Sequence, residues 1–391
     1  MALLWIVAFA LVLPRTAPAA PALAPPAASV SFDEASRRAA AARDGGDAGE
    51  AVRWYGESVR LRPSWDEGWW YLGALSYERG DDAETARAFA RFVELKPDSG
   101  PGWALLGLAE FQRRDYEASL GHLTRALALG SVGSAEIRSA VYFHVAILRV
   151  RAGEFELAVE PLTVLARANP ESPPLVTACG LVLLRKAYLP DAVPAKEREL
   201  VQAAGGAACA GLALRDGAGP LFEDLLRRYP RTRYLHYGYG AYLLRKDEGH
   251  AAAAIEQFER EIEVDPGAVY ARLEIAYELI RDGQHARALP YAERAVALAP
   301  GLFAAHDALG RALFETGQAE GGIAELEKAV QLAPESRQAR ATLAGAYARA
   351  GRPAAAERER EAMRRLEAEQ GPSSRSSLAR EQGVPREKEN P

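Results

Sequence analysis

The sequence predicts an all-α chain built from repeated helix pairs, and three observations carry that prediction. Alanine supplies about a fifth of the 391 residues, while valine and isoleucine are thin. Alanine is the best helix former, and β-sheets draw on the residues that are scarce here. Prolines recur at Pro63 and Pro97, then at Pro266, Pro300 and Pro334, each step being 34 residues. Gly283, Gly317 and Gly351 keep the same step, as do Trp69-x-x-Leu72-Gly73 and Trp103-x-x-Leu106-Gly107. A fixed period of this length marks a repeat architecture, in which each unit buries its apolar face against its neighbours.

The chain opens on an unbroken apolar run, Ala2 to Leu13, which ends at Pro14-Arg15 and gives way to a Pro/Ala stretch. Twelve helical residues span about 18 Å, short of the ~30 Å hydrocarbon core. Small residues around Ala17-Pro18-Ala19 and Ala20-Pro21-Ala22 suit signal cleavage. Residues 1–28 are therefore expected to be a signal peptide and Pro/Ala-rich segment. The protein is then exported to the periplasm or cell envelope, and contacts the membrane only through this segment if it stays uncleaved.

The repeats follow in order. Units fall at 32–65, 66–99, 100–133 and 139–172, a distorted one within 173–230, then at 231–268, 269–302, 303–336 and 337–370. The eighth position of each first helix is small: Gly73, Gly107, Ala146, Gly180, Gly238, Ala276, Gly310 and Ala344. A small residue there lets two antiparallel helices approach closely. Gly46, Gly80, Gly153, Gly283, Gly317 and Gly351 stand where the first helix must end, since glycine accepts the left-handed conformation of a helix C-terminus. Proline then closes the second helix. The pattern breaks at Pro190 and Pro194, and an extra helix is expected from Ala195 to Leu214 before Pro220 to Tyr229 supplies a second helix. About four additional residues are expected around Asp247-Glu248. The domains expected are an N-terminal array at 32–172, a degenerate unit with an inserted helix at 173–230 and a C-terminal array at 231–370 ending in a charged capping helix. Residues 371–391, rich in Ser, Arg, Glu and Pro, are expected to be disordered.

This 34-residue unit of helix A, tight turn, helix B and proline resembles the tetratricopeptide repeat family, over nearly all of the chain beyond residue 31. The resemblance implies a right-handed superhelical solenoid of about eight to nine helix-turn-helix units with an irregular helical insertion in the middle. It also implies that the inner faces of the A helices line a groove for peptides or partner helices, through helix positions 2, 5, 9 and 12. Mapped onto this chain, the groove residues expected are Trp70, Tyr77, Phe111, Phe143, Ile147, Leu181, Leu235, Tyr239, Tyr242, Leu273, Tyr277, Ile280 and Phe314. Arg281 and Arg311 are the cations along it. Tyr239 and Tyr242 are expected to face the groove, and Tyr234 and Tyr237 to face helix B. Such a stripe is apolar and aromatic, and contiguous apolar area marks interaction sites in which Trp and Tyr serve as anchors. The Lys, Asn and Arg clamp with which some relatives grip a terminal carboxylate is missing.

Composition and motifs narrow the function. With 48 basic against 53 acidic residues the formal net charge is −5. That balance argues against nucleic-acid binding, which needs a basic face. No P-loop, His-Glu-x-x-His, Cys-x-x-Cys or Gly-x-Ser-x-Gly element occurs, so no catalytic residue, metal site or cofactor is expected. Two cysteines exclude a disulfide scaffold. Cys179 and Cys209 leave two readings open, a pair of small buried residues or an oxidised pair. The function expected is a non-catalytic scaffold that holds a protein or peptide in the envelope. A membrane-tethered assembly factor and an accessory subunit of an enzyme are the alternatives.

Overall fold

The computed structural model describes residues 30–246 and 248–370, and every regular element among them is helical. The expected leader, the expected disordered tail and Asp247 lie outside the described residues. The chain divides into two compact units, Met1–Leu165 and Ala166–Pro391. The irregular segment 173–230 thus belongs to the second unit.

The first unit comprises α1 (Phe32–Asp44), α2 (Ala48–Leu61), α3 (Asp66–Glu78), α4 (Asp82–Leu95), α5 (Gly100–Gln112), α6 (Tyr116–Ala128), α7 (Ala135–Arg151) and most of α8 (Phe155–Ala168). Its helix starts are set by short polar side chains. Ser31, Asp47, Asp81 and Ser99 each accept the backbone N–H three residues on, at 2.9–3.3 Å. Helix A ends at Gly46 and Gly80 with φ of 78° and 73°, and Arg114, at φ 64°, takes that place where the third unit has no glycine. Gly73 and Gly107 are required by close approach. A Cβ on either would stand 2.7 Å from Phe89 or Leu123 of the facing helix B. Phe89 and Leu123 are fully buried at these contacts, and Leu72 and Tyr55 are buried in the same unit.

The tryptophan and the proline share a period for a physical reason. The indole N–H of Trp69 donates to the Pro63 carbonyl, and that of Trp103 to the Pro97 carbonyl, both at 2.9 Å. Proline ends helix B, leaving carbonyls that no later helical N–H can satisfy. A donor at the fourth position of the next A helix satisfies one of them. In the second unit His306 Nε2 sits 3.0 Å from the Pro300 carbonyl, and Arg340 Nε donates to that of Pro334 at 2.8 Å. In these four units the position supplies a polar N–H group, whether or not the side chain is an aromatic ring.

The second unit continues with α9 (Pro173–Leu183), α10 (Arg198–Leu212), α11 (Ala218–Arg228), α12 (Leu235–Lys246), α13 (Ala251–Val264), α14 (Val269–Arg281), α15 (His285–Leu298), α16 (Phe303–Glu315), α17 (Ala319–Leu332), α18 (Arg337–Arg349) and α19 (Pro353–Gln370). Here the structure departs from expectation twice. First, α10 is the packing partner of α9, so it acts as helix B and the additional helix is α11. A Cβ on Gly180 would lie 2.0 Å from the Val201 carbonyl oxygen, and one on Gly205 1.9 Å from that of Val176. The two helices touch backbone to backbone. A disulfide between Cys179 and Cys209, with Cα atoms 5.8 Å apart, joins the same pair. The prolines Pro190 and Pro194 shape the connection, which runs through two 3₁₀ turns at Pro190–Ala192 and Ala195–Glu197.

Second, the register of α12 lies two residues beyond the expected one. Gly240 faces helix B of its own unit, its Cβ site 2.7 Å from Phe258, whereas Gly238 faces Leu183. The step from Gly240 to Phe258 is 18 residues. It is 16 from Gly73 to Phe89, Gly107 to Leu123 and Gly310 to Leu326. The insertion in this unit is therefore two residues, not four. Sequence alone aligned the wrong glycine of Gly238-Tyr239-Gly240.

Candidate partner-binding face

Within the first unit, Trp70, Tyr77, Phe111 and Phe143 are half-buried on the A helices α3, α5 and α7, and Ile147 is buried. Trp70 meets Phe89 edge-on at 5.5 Å and Phe92 at 5.2 Å, so one of its faces is spent on helix B. Phe111 sits edge-to-face with His144 at 4.5 Å, and Phe143 flanks the same ring at 5.7 Å. His144 is itself buried, its Nδ1 2.7 Å from the Ala140 carbonyl, and burial pushes its pKa down. The ring lies within an aromatic cluster. What remains is a row of aromatic edges on successive A helices.

In the second unit several of the expected groove residues are core. Leu181 and Leu235 are fully buried, and Tyr242, Leu273 and Ile280 are no more than 6% exposed. They fill the spaces between stacked helices. The two-residue register explains the tyrosines. Tyr239 and Tyr242 turn toward α11 and stack on Phe222 at 5.3 and 5.8 Å, and the Tyr239 hydroxyl donates to Glu223 at 3.2 Å. Tyr237 packs on Phe258 as Trp70 does on Phe89, and its hydroxyl donates to Glu274 on the next A helix at 3.4 Å. Thus Tyr234 and Tyr237 occupy the positions assigned to groove residues, and the expectation for the two pairs is reversed.

Tyr277, Arg311 and Phe314 are half-buried and Arg281 is exposed. Around them lies a network that the residue types alone did not reveal. The Tyr277 hydroxyl donates to the Ala304 carbonyl at 2.8 Å and lies 3.3 Å from Asp307 Oδ2. Arg311 approaches the same carboxylate at 3.8 Å, and Asp307 Oδ1 is buried without a hydrogen-bond partner. Arg281 pairs with Glu278, and Arg349 pairs with Glu315 while covering the Phe314 ring. Burial, reinforced by Glu278, pushes the Glu274 carboxyl up to about 7. Burial likewise raises Asp307, against the pull of Arg311, and Glu278, against that of Arg281. Tyr277 is held well above the ordinary tyrosine value by burial and by Asp307. This stretch of the inner face is polar and acid-rich rather than apolar.

Among the described residues no group of three His, Cys, Asp or Glu side chains is placed to hold a metal ion. Nor is any described helix long and apolar enough to cross a membrane.

The helix pairs, the glycine contacts and the inner-face stripes define a repeat protein of stacked antiparallel helices. A tetratricopeptide repeat family profile matches residues 246–302 and 308–372, so the helix pairs in that part of the chain are tetratricopeptide repeats. No curated protein gives a significant match. Among solved structures, MamA from Desulfovibrio magneticus RS-1 is 26% identical over 40% of this chain and 87% of its own, with a TM-score of 0.37. Human IFIT1 is 16% identical over 87% and 91%, with a TM-score of 0.33. Yeast Tom70 is 14% identical over 89% and 98%, with a TM-score of 0.30.

Proposed function

We propose that this protein is a non-catalytic scaffold of the cell envelope that docks a polypeptide segment on the inner faces of its A helices. One observation carries the reading. Half-buried aromatic side chains (Trp70, Tyr77, Phe111 and Phe143 in the first unit, Tyr237, Tyr277 and Phe314 in the second) recur at the inner positions 5, 9 and 12 of the A helices. Trp70 packs one face on Phe89 and Phe92 and remains partly exposed. Rigid aromatic anchors on a preformed surface bind at low entropic cost, and repeat proteins present such surfaces in series. The envelope location rests on the apolar run Ala2–Leu13 and the small residues after it.

The test is a crosslinking pull-down from envelope fractions with the full chain and a Tyr77→Ala/Phe143→Ala variant. Thermal melts first establish that the variant is folded. Loss of the partner from a folded variant supports the proposal. Undiminished capture, or a partner found only in the cytosolic fraction, contradicts it.

A further inference from the structure

On the inner face, α12 and α14 meet at a carboxyl group that has no cation of its own. Glu274, half-buried in the second turn of α14, accepts the Tyr237 hydroxyl of α12 at 3.4 Å. Glu278 stands one turn further along the same helix face and places a like charge beside it. Arg281, the cation of that turn, pairs with Glu278. The seam next to this contact is loosely filled, since a cavity of about 110 Å³ lies between the start of α14 and Tyr234 and Tyr237 of α12.

The other charged groups around the seam are engaged elsewhere. From α13, Glu261, 1% exposed, accepts the backbone N–H groups of Tyr234 at 2.6 Å and Tyr237 at 3.2 Å. Asp265 at the end of α13 accepts Arg233 Nε at 2.8 Å. From α16, Asp307 lies 3.3 Å from the Tyr277 hydroxyl and is approached by Arg311. Tyr291 and Arg294 of α15 lie near Arg272. Arg185, beyond the end of α9, covers the rings of Tyr234 and Tyr270.

We infer that Glu274 is a proton-operated latch between α12 and α14. With a neutral carboxyl the two A helices close over it; charged, beside Glu278 and without a cation, it draws in water and parts them at Tyr237. In the closed seam, burial and Glu278 raise this carboxyl to about 7, and an open, wetted seam returns it to its ordinary value of 4.5. The open form binds the proton less tightly, so opening is rarest in acid. It gains roughly two orders of magnitude as pH rises through that window and levels off above it. Tyr237 is one of the inner-face aromatics, so the consequence for a partner rests on the docking surface proposed above. The latch itself is read without a partner and fails separately.

The experiment is native-state amide hydrogen exchange of the full chain at pH 5 and pH 8, corrected for the intrinsic pH dependence of exchange. Protection of α12 and α14 is expected to fall at least tenfold between the two, and to be insensitive to low urea, as a local opening is. Glu274→Gln, neutral at both pH values, should abolish most of the fall. Glu278→Gln, which removes the like charge, should reduce it. Thermal melts at pH 5 establish first that both variants are folded. Protection that does not change with pH, or an undiminished fall in either variant, overturns the latch. So does a fall that carries the urea dependence of global unfolding.

Discussion

Tyr239 and Tyr242 show how a shift of two residues changes the meaning of a side chain. Read by spacing, they anchor a partner; in the structure they stack on Phe222 and Tyr242 is 5% exposed. Replacing both by alanine should therefore destabilise the second unit by about 3–5 kcal/mol, the cost of removing buried aromatics. A melt unchanged within a few degrees would return them to the surface. Glu274 provides a second test at this scale. Its carboxyl is raised to about 7, so between the unfolded value near 4.5 and that pH the folded chain binds the extra proton. Stability linked to this group is then full in acid and is lost as pH rises through about 7. The unit should melt higher at pH 5.5 than at pH 8. Glu274→Gln should remove much of the difference by raising stability at pH 8, on the order of 2 kcal/mol. A variant whose pH dependence matches the parent would contradict the burial of this carboxyl. Identity alone could not reveal Glu274 as half-buried or Asp307 as buried, because an acid on an A helix reads as solvated until its neighbours are placed.

At the scale of elements, most of the fold was legible because the repeat imposes the same local chemistry many times. Pro63, Pro97, Gly73 and Gly107 each perform a task visible in a single unit, and the period multiplies that signal. The middle was legible only as a disruption. Between Pro190 and Pro194 the local rules say that a helix stops, but not which later helix packs on α9. That choice is made by Gly180 and Gly205, 25 residues apart, meeting backbone to backbone. Gly180→Ala should force α9 and α10 apart and cost about 3 kcal/mol or more, measurable by chemical denaturation. A neutral result would mean that the helices are not in contact. The Cys179–Cys209 bridge closes the same pair, and both cysteines are buried. Replacing both by serine should cost roughly 2–4 kcal/mol. Denatured, unreduced protein should show no titratable thiol; two free thiols would contradict the pairing.

For the molecule as a whole, the sequence reading of one apolar groove does not survive in that form. The first unit offers aromatic edges, and the second a mixture of tyrosines, buried acids and arginines. The claim that the A-helix faces are the docking surface is tested most directly by site-specific photo-crosslinking. A benzophenone amino acid would be placed at Tyr77, Phe143 or Phe314 on the inner positions, and at Leu157 or Leu221, exposed on α8 and α11. Each full-length protein would be irradiated in envelope fractions. The account predicts a discrete partner band from the three inner positions and none from the two outer ones. The same band from positions 157 and 221, with nothing from 77, 143 and 314, would contradict it.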